Sequence, residues 1–167
     1  WLDRLVPEID HGDGPPPDAA AQRLGEVAHA EHRRLLDLLA AIESADEHGQ
    51  PDRVVTLARE ARALAEPHFD YEQRAVFPHL VDRLGAEFVQ DLQLAQEGVV
   101  AALQDIEQLA DLARADGTAA AETRRLLHSA RVAVVSCDAL TSTFEGQSAD
   151  VAEAALAARE RAFAGRA

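Results

Sequence analysis

Apolar residues recur along this chain at a helical period, and Gly and Pro interrupt the pattern in only a few places. The interruptions are His11-Gly12-Asp13-Gly14-Pro15-Pro16-Pro17, Gly49-Gln50-Pro51, Gly85 and Asp116-Gly117. Between them run stretches of roughly 30 residues dominated by Ala, Leu, Glu, Arg and Gln, all good helix formers. At about 100° per residue, Leu24, Ala28, Leu35, Leu38, Leu39 and Ile42 fall on one stripe of the first stretch. The second carries Val54, Leu57, Ala58, Ala61, Leu64, Ala65, Ala75 and Val76, and the third Phe88, Leu92, Ala95, Val99, Ala102, Ile106 and Leu109. Leu126, Leu127, Ala130, Ala133, Val134, Cys137, Leu140 and Phe144 form the stripe of the fourth. The spacing predicts helices over 18–48, 52–84, 86–115 and 118–146, with a polar, Ala-rich tail helix over 148–163.

Strand signals are absent, and short connections force successive helices to run antiparallel. The expected fold is all-α, an up-down-up-down four-helix bundle. It divides into a 1–17 N-terminal segment and Pro-rich linker, an 18–147 bundle and a 148–167 C-terminal tail helix. Leu2, Leu5, Val6 and Ile9 suggest a short amphipathic helix ahead of the linker, as a lid, an interface or a cap. Pro67 and Pro78 interrupt the second stretch, so a kink or lost hydrogen bonding is expected there.

The polar residues that break the apolar stripes carry the chemistry. Glu31 falls in the middle of the first stripe and His32 at its edge, whereas His29 points away. His68, Glu72 and His79 all fall within the second stripe. A carboxylate buried without a partner is costly by several kcal/mol, so Glu31 and Glu72 each require a cation, an Arg or a proton. With the first turn centred near residue 50, His32 lies eighteen residues before it and His68 eighteen after, which levels them on antiparallel helices. Glu72 follows His68 by one helical turn, so both can converge on one ion. His79, about 16 Å further along at 1.5 Å per residue, is too far to join them. The third and fourth stripes contain no His and no carboxylate, and the same counting brings Val99, Ala102, Ala133 and Val134 to the height of the His pair, with Cys137 about one turn off.

Composition narrows the partners. The 167 residues carry 30 acidic against 16 basic side chains, a net charge of −14, which repels nucleic acid and anionic lipid. No apolar run is long enough to cross a bilayer, and Trp1-Leu2-Asp3 lacks the regions of a secretion signal, so a soluble, cytoplasmic protein is expected. The chain has no Met, which places the initiating residue outside it or marks it as removed. A lone cysteine, Cys137, makes neither an internal disulfide nor a thiolate cluster, so a metal here must use His and carboxylate.

Two segments resemble the hemerythrin-like, or HHE cation-binding, family. Ala28-His29-Ala30-Glu31-His32-Arg33-Arg34-Leu35 is similar to its first-helix histidine motif. Pro67-His68-Phe69-Asp70-Tyr71-Glu72-Gln73-Arg74-Ala75-Val76-Phe77-Pro78-His79-Leu80 is similar to its HxxxE followed by Phe-Pro-x-Leu. The resemblance implies a four-helix bundle with a pair of non-haem irons, and His32, His68 and Glu72 as iron ligands, the Glu bridging in a two-iron site. The family also has a histidine on the third helix and a second His-carboxylate motif on the fourth. Leu94-Ala95-Gln96-Glu97-Gly98-Val99 stands at the first place and Val135 and Ala139 at the second, so the second iron is expected to have lost its ligands.

Three functions remain open at this point. An altered site with His32, His68 and Glu72 as metal ligands would bind iron, mononuclear in preference to di-iron, and act as an oxidase or oxygenase on a small molecule. Glu31 or Glu72 would then be catalytic, moving protons. A binding protein that senses oxygen, nitric oxide or iron without turnover is the second, and the third is a metal-free bundle that binds an organic ligand and uses its His/Glu pairs as acid and base. Glu31 is left as a fourth ligand, a proton-transfer group or the partner of an inward Arg. His79 is expected as a core or helix-end residue, His128 as solvated, Cys137 as a small buried hydrophobe and His11 as a linker residue near the pocket mouth.

Overall fold

A computed structural model describes residues 18–116 and 120–165. Helix α1 spans Ala19–Glu47 and starts where the Asp18 side chain accepts a hydrogen bond from the Ala20 amide at 2.8 Å, satisfying one of the free N–H groups of the first turn. It ends at a turn whose Gly49 has φ +63°, a backbone conformation that suits glycine. Helix α2, Pro51–Tyr71, begins on a proline, whose missing N–H costs nothing at a helix start.

The second stretch then departs from a continuous helix. Residues Glu72–Val76 form a π turn in which the Phe77 amide donates to the Glu72 carbonyl, and Phe77–His79 form a 3-10 turn. Pro78 has no N–H to return to the preceding turn, so the chain widens ahead of it. Short helix α3, Val81–Leu84, ends at Gly85 with φ +88°, and α4 runs over Ala86–Asp116. Helix α5 covers Ala120–Asp138, short helix α6 Thr141–Phe144, and α7 Ala149–Ala164. The fourth predicted stretch is therefore also broken, at 139–140, and the tail helix is present with boundaries close to those expected.

Helices α1, α2, α4 and α5 pack in a ring, each against its two neighbours, and α7 lies against α1, α2 and the π turn. No strand occurs among the described residues, and no helix among them is long and apolar enough to cross a membrane. The segment 1–17, with its expected amphipathic helix and His11, lies outside the described residues.

The apolar interior falls into two parts. Leu35, Leu39, Ile42, Leu103, Ile106 and Leu127 belong to the larger one, toward the turn between α1 and α2. Leu24, Tyr71, Leu80, Cys137 and Phe144 belong to the other, beneath α7. On α1, α2 and α4 the boundary between them is marked by polar side chains, Glu31 and His32, His68 and Glu72, and Gln96, and on α5 Asp138 lies next to it, one residue past Cys137. A polar layer thus crosses an otherwise oily bundle.

The apolar halves must supply the stability that this layer does not. Leu103 is fully buried and Leu94 is 56% exposed. Chemical denaturation should show Leu103→Ala losing about 2–5 kcal/mol, and Leu94→Ala staying within about 0.5 kcal/mol of the parent.

Candidate metal centre

His32, His68 and Glu72 meet in the polar layer, each with no exposed surface. His32 Nε2 and His68 Nε2 face each other at 2.9 Å. Glu72 Oε1 lies 3.4 Å from His68 Nε2 and 3.8 Å from His32 Nε2, and no hydrogen bond reaches this buried oxygen. The rings meet edge to face, with centroids 4.5 Å apart.

Each ring is backed by a carboxylate on its other nitrogen. His68 Nδ1 donates to Glu31 Oε2 at 2.8 Å. His32 Nδ1 stands 3.4 Å from Asp138 Oδ1, a contact of ion-pair length without good hydrogen-bond geometry. Asp138 also accepts from His29 Nδ1 at 2.7 Å, which ties the half-exposed His29 to the edge of the site. With its Nδ1–H turned outward to Glu31, the His68 ring brings its Nε2 onto His32 Nε2, and the tautomer decides which of the two carries a proton. Two Nε2 atoms and a carboxylate oxygen at these separations require a proton or a metal ion among them.

A transition-metal ion fits that requirement. The point equidistant from the three inner atoms lies about 2 Å from each, the usual bond length from such metals to imidazole nitrogen and carboxylate oxygen. The orphaned Glu72 Oε1 and the carboxylate-backed imidazoles are features of a metal-ligating set. Among the described residues these three side chains form a group able to hold a metal ion.

The charges around the centre follow from burial and its compensation. Burial opposes ionisation of Glu31, but the hydrogen bonds from His68 and Arg159 outweigh it and hold its carboxyl below the usual range. Burial likewise opposes a charged His68, and the Glu72 and Glu31 carboxylates override it, so the ring holds a proton more tightly than a free imidazole. For Asp138, partial burial is outweighed by His32 and His29, and its carboxyl is lowered. Burial raises both Tyr71 and Cys137, which stay protonated.

The placement of Glu31 differs from that of the three inner groups. One oxygen, Oε2, takes the His68 bond and a long one of 3.4 Å from the Tyr71 hydroxyl, while Oε1 takes the guanidinium of Arg159 at 2.7 Å. Of the roles left open for it, partner to an inward Arg is the one visible in the geometry. His79, placed on the core stripe by a continuous 3.6-residue period, is exposed, because the π turn and Pro78 shift the helical phase before it. His128 is exposed and remote from the centre.

Helices α4 and α5 do contribute polar groups, contrary to the expectation from their stripes. Gln96, fully buried, donates to Glu72 Oε2 at 2.6 Å and accepts from Gln73 at 3.0 Å, and Cys137 Sγ stands 3.9 Å from the Gln96 amide. Val99, Ala102 and Val134 belong to the larger apolar half, about one turn away from the level of the rings. Counting back from Gly85 misplaces the height because 72–84 does not rise as an α-helix. Gln96 sits in phase with Leu92, Val99 and Leu103, a periodicity signal that could have revealed it. Arg159 sits in phase with Ala152, Ala155 and Phe163 and offered the same kind of signal, whereas Asp138 sits at the edge of its helix's apolar face and offered none.

Comparison with known families agrees with the geometry. Neither curated proteins nor solved structures returned a match. A family model described as the hemerythrin HHE cation binding domain matches residues 24–136, a span that contains His32, His68, Glu72 and Gln96. By that match over most of its length, the chain belongs to the hemerythrin HHE cation-binding domain family.

Proposed function

We propose that the chain is a non-haem iron protein that holds one metal ion on His32 Nε2, His68 Nε2 and Glu72 Oε1 and uses it with oxygen on a small molecule. The observation that supports this reading best is the convergence of two imidazole nitrogens and one unpartnered carboxylate oxygen on a single point. Two histidines and one carboxylate suit Fe(II), and iron so held supplies open positions for dioxygen or substrate. A single ion is favoured over a pair because Glu72 Oε2 is already bound by the Gln96 amide. That oxygen is therefore committed to a hydrogen bond, and Gln96 and Cys137 fill the space beyond it.

The chain's own residues have separable tasks in this reading. Glu31 and Asp138 orient the two rings from outside, and Gln96, itself held by Gln73, orients Glu72. In this reading Glu31, an ionised carboxylate whose Oε2 accepts from both His68 and Tyr71, would act catalytically by taking up a proton beside the centre. Glu72 serves as ligand through Oε1, which in this reading leaves proton transfer to Glu31 rather than to a metal-bound oxygen. A surface groove of about 310 Å³ between α2 and α4 is lined by Phe69, Gln73, Gln96 and Val100 among others. Gln96 therefore borders both the groove and Glu72, which suits a small substrate held beside the centre. A cytoplasmic setting suits Cys137, a buried free thiol, and the acidic charge disfavours nucleic acid as partner.

A second reading, sensing of oxygen, nitric oxide or iron without turnover, draws support from the full enclosure of the donor atoms, which admits a diatomic molecule more readily than an organic one. Sustained oxygen consumption in the presence of a reductant favours the first reading; a single equivalent taken up and held favours the second.

Metal analysis of anaerobically purified, untagged protein should give about one iron per chain, consistent with three protein ligands and open positions. His68→Ala should remove most of it and His128→Ala should leave it unchanged; equal contents in the two variants would sink the site assignment, and two irons per chain would sink the single-ion form. Gln96→Leu strips the hydrogen bond from Glu72 Oε2 while keeping similar bulk. Its metal affinity, read by competition with a chelator, should fall by about 10- to 100-fold.

A further inference from the structure

Helix α7 lies beyond the span 24–136 matched by the family, yet it delivers a side chain to the centre. Ala152 and Ala155, both without exposed surface, seat it against α1, α2 and the π turn. One turn beyond Ala155, Arg159 donates to Glu31 Oε1 from Nε at 2.7 Å and from Nη2 at 2.5 Å. A further turn on, Phe163 lies against the same guanidinium, its ring centroid 4.8 Å from the Arg159 carbon. The guanidinium is therefore held between an aromatic face and a carboxylate.

The other oxygen of that carboxylate accepts from His68 Nδ1 at 2.8 Å. A continuous line of charge-assisted hydrogen bonds runs from α7 through Glu31 to the ring whose Nε2 faces the centre. Glu31 is 7% exposed, so without Arg159 its Oε1 would lack a donor, and turning toward solvent would relieve it. That turn would withdraw Oε2 from His68 and free the ring to rotate. Conversely, a metal ion on Nε2 makes the Nδ1–H a stronger donor, tightens the bond to Glu31 and so favours the arrangement that Arg159 completes.

We propose that Arg159 is a positioning residue for the metal centre, and that docking of α7 and binding of metal reinforce each other through Arg159, Glu31 and His68. The inference rests on the metal-site reading above. Coupling of this kind is reciprocal: whatever factor α7 docking adds to metal affinity, metal adds to α7 docking. A residue that only neutralised a buried carboxylate for stability would leave the response of α7 to metal unchanged.

The test uses the full chain and Co(II), whose visible absorption reports its ligand geometry. Wild type, Arg159→Gln, Arg159→Lys and the exposed control Glu160→Gln would be titrated anaerobically against a competing chelator. Hydrogen exchange of the α7 amides would be followed with and without Co(II). Arg159→Gln should bind about 10- to 100-fold more weakly, with altered absorption bands, and Arg159→Lys should recover part of the loss. Glu160→Gln should match wild type. Exchange in α7 should slow on Co(II) binding in wild type, and this response should vanish in Arg159→Gln. Unchanged affinity and spectrum in Arg159→Gln would overturn the proposal, as would wild-type α7 exchange that ignores Co(II). The second of these decides alone should the Gln variant fail to fold. No Co(II) binding by wild type would overturn the metal-site reading and this proposal together, whereas tight binding by wild type and Arg159→Gln alike overturns only this one.

Discussion

Two imidazole nitrogens facing each other at 2.9 Å, with an unpaired carboxylate oxygen beside them, are the constraint around which the bundle is arranged. Such a group inside an apolar core is unfavourable until every outward-facing atom is bonded and the inward-facing ones share a cation. Glu31 and Asp138 approach the outer nitrogens, Gln96 takes the second oxygen of Glu72, and Arg159 balances Glu31. The layer divides the core into two apolar halves, and these carry the burden of stability. The three inner donor atoms remain for a metal ion.

The irregular end of α2 belongs to the same design. His68 follows Pro67 directly, and Glu72 opens the π turn that gives way at Phe77 to the 3-10 turn containing Pro78. Glu72 points inward because it follows His68 by one regular turn, and the π turn then adds a residue and shifts the facing of what lies beyond it, so that His79 reaches the surface. It also supplies the seat for α7, so the local break that ends the ligand helix prepares the docking of the helix that brings Arg159. Glu72 and α7 are thereby adjoining parts of one structural feature.

Much of the centre was legible in the sequence because its residues break a strong period. Glu31, His32, His68 and Glu72 stand on stripes of Leu, Val and Ala, where a charge or an imidazole demands a reason. The level pairing of His32 with His68 followed from equal distances to the Gly49 turn, and held because both intervening segments are regular α-helix. The same counting failed across 72–84, where the rise per residue changes, and it put Val99 rather than Gln96 level with the rings. Glu31 showed in advance that a cation, an Arg or a proton had to reach it, without showing which.

What the sequence determined by itself was the all-helical bundle, the antiparallel order of its helices and the inner triad of His32, His68 and Glu72. Each of these depends on local period, turn position or a spacing within one turn of helix. Only the tertiary structure decided that Gln96 binds Glu72, that Asp138 stands behind His32 and that Arg159 crosses 128 residues of chain to hold Glu31. Those contacts join helices far apart in sequence, and the phase of a polar side chain on its own helix does not say which neighbour it turns toward. Helix packing, rather than helix propensity, settles which way they turn.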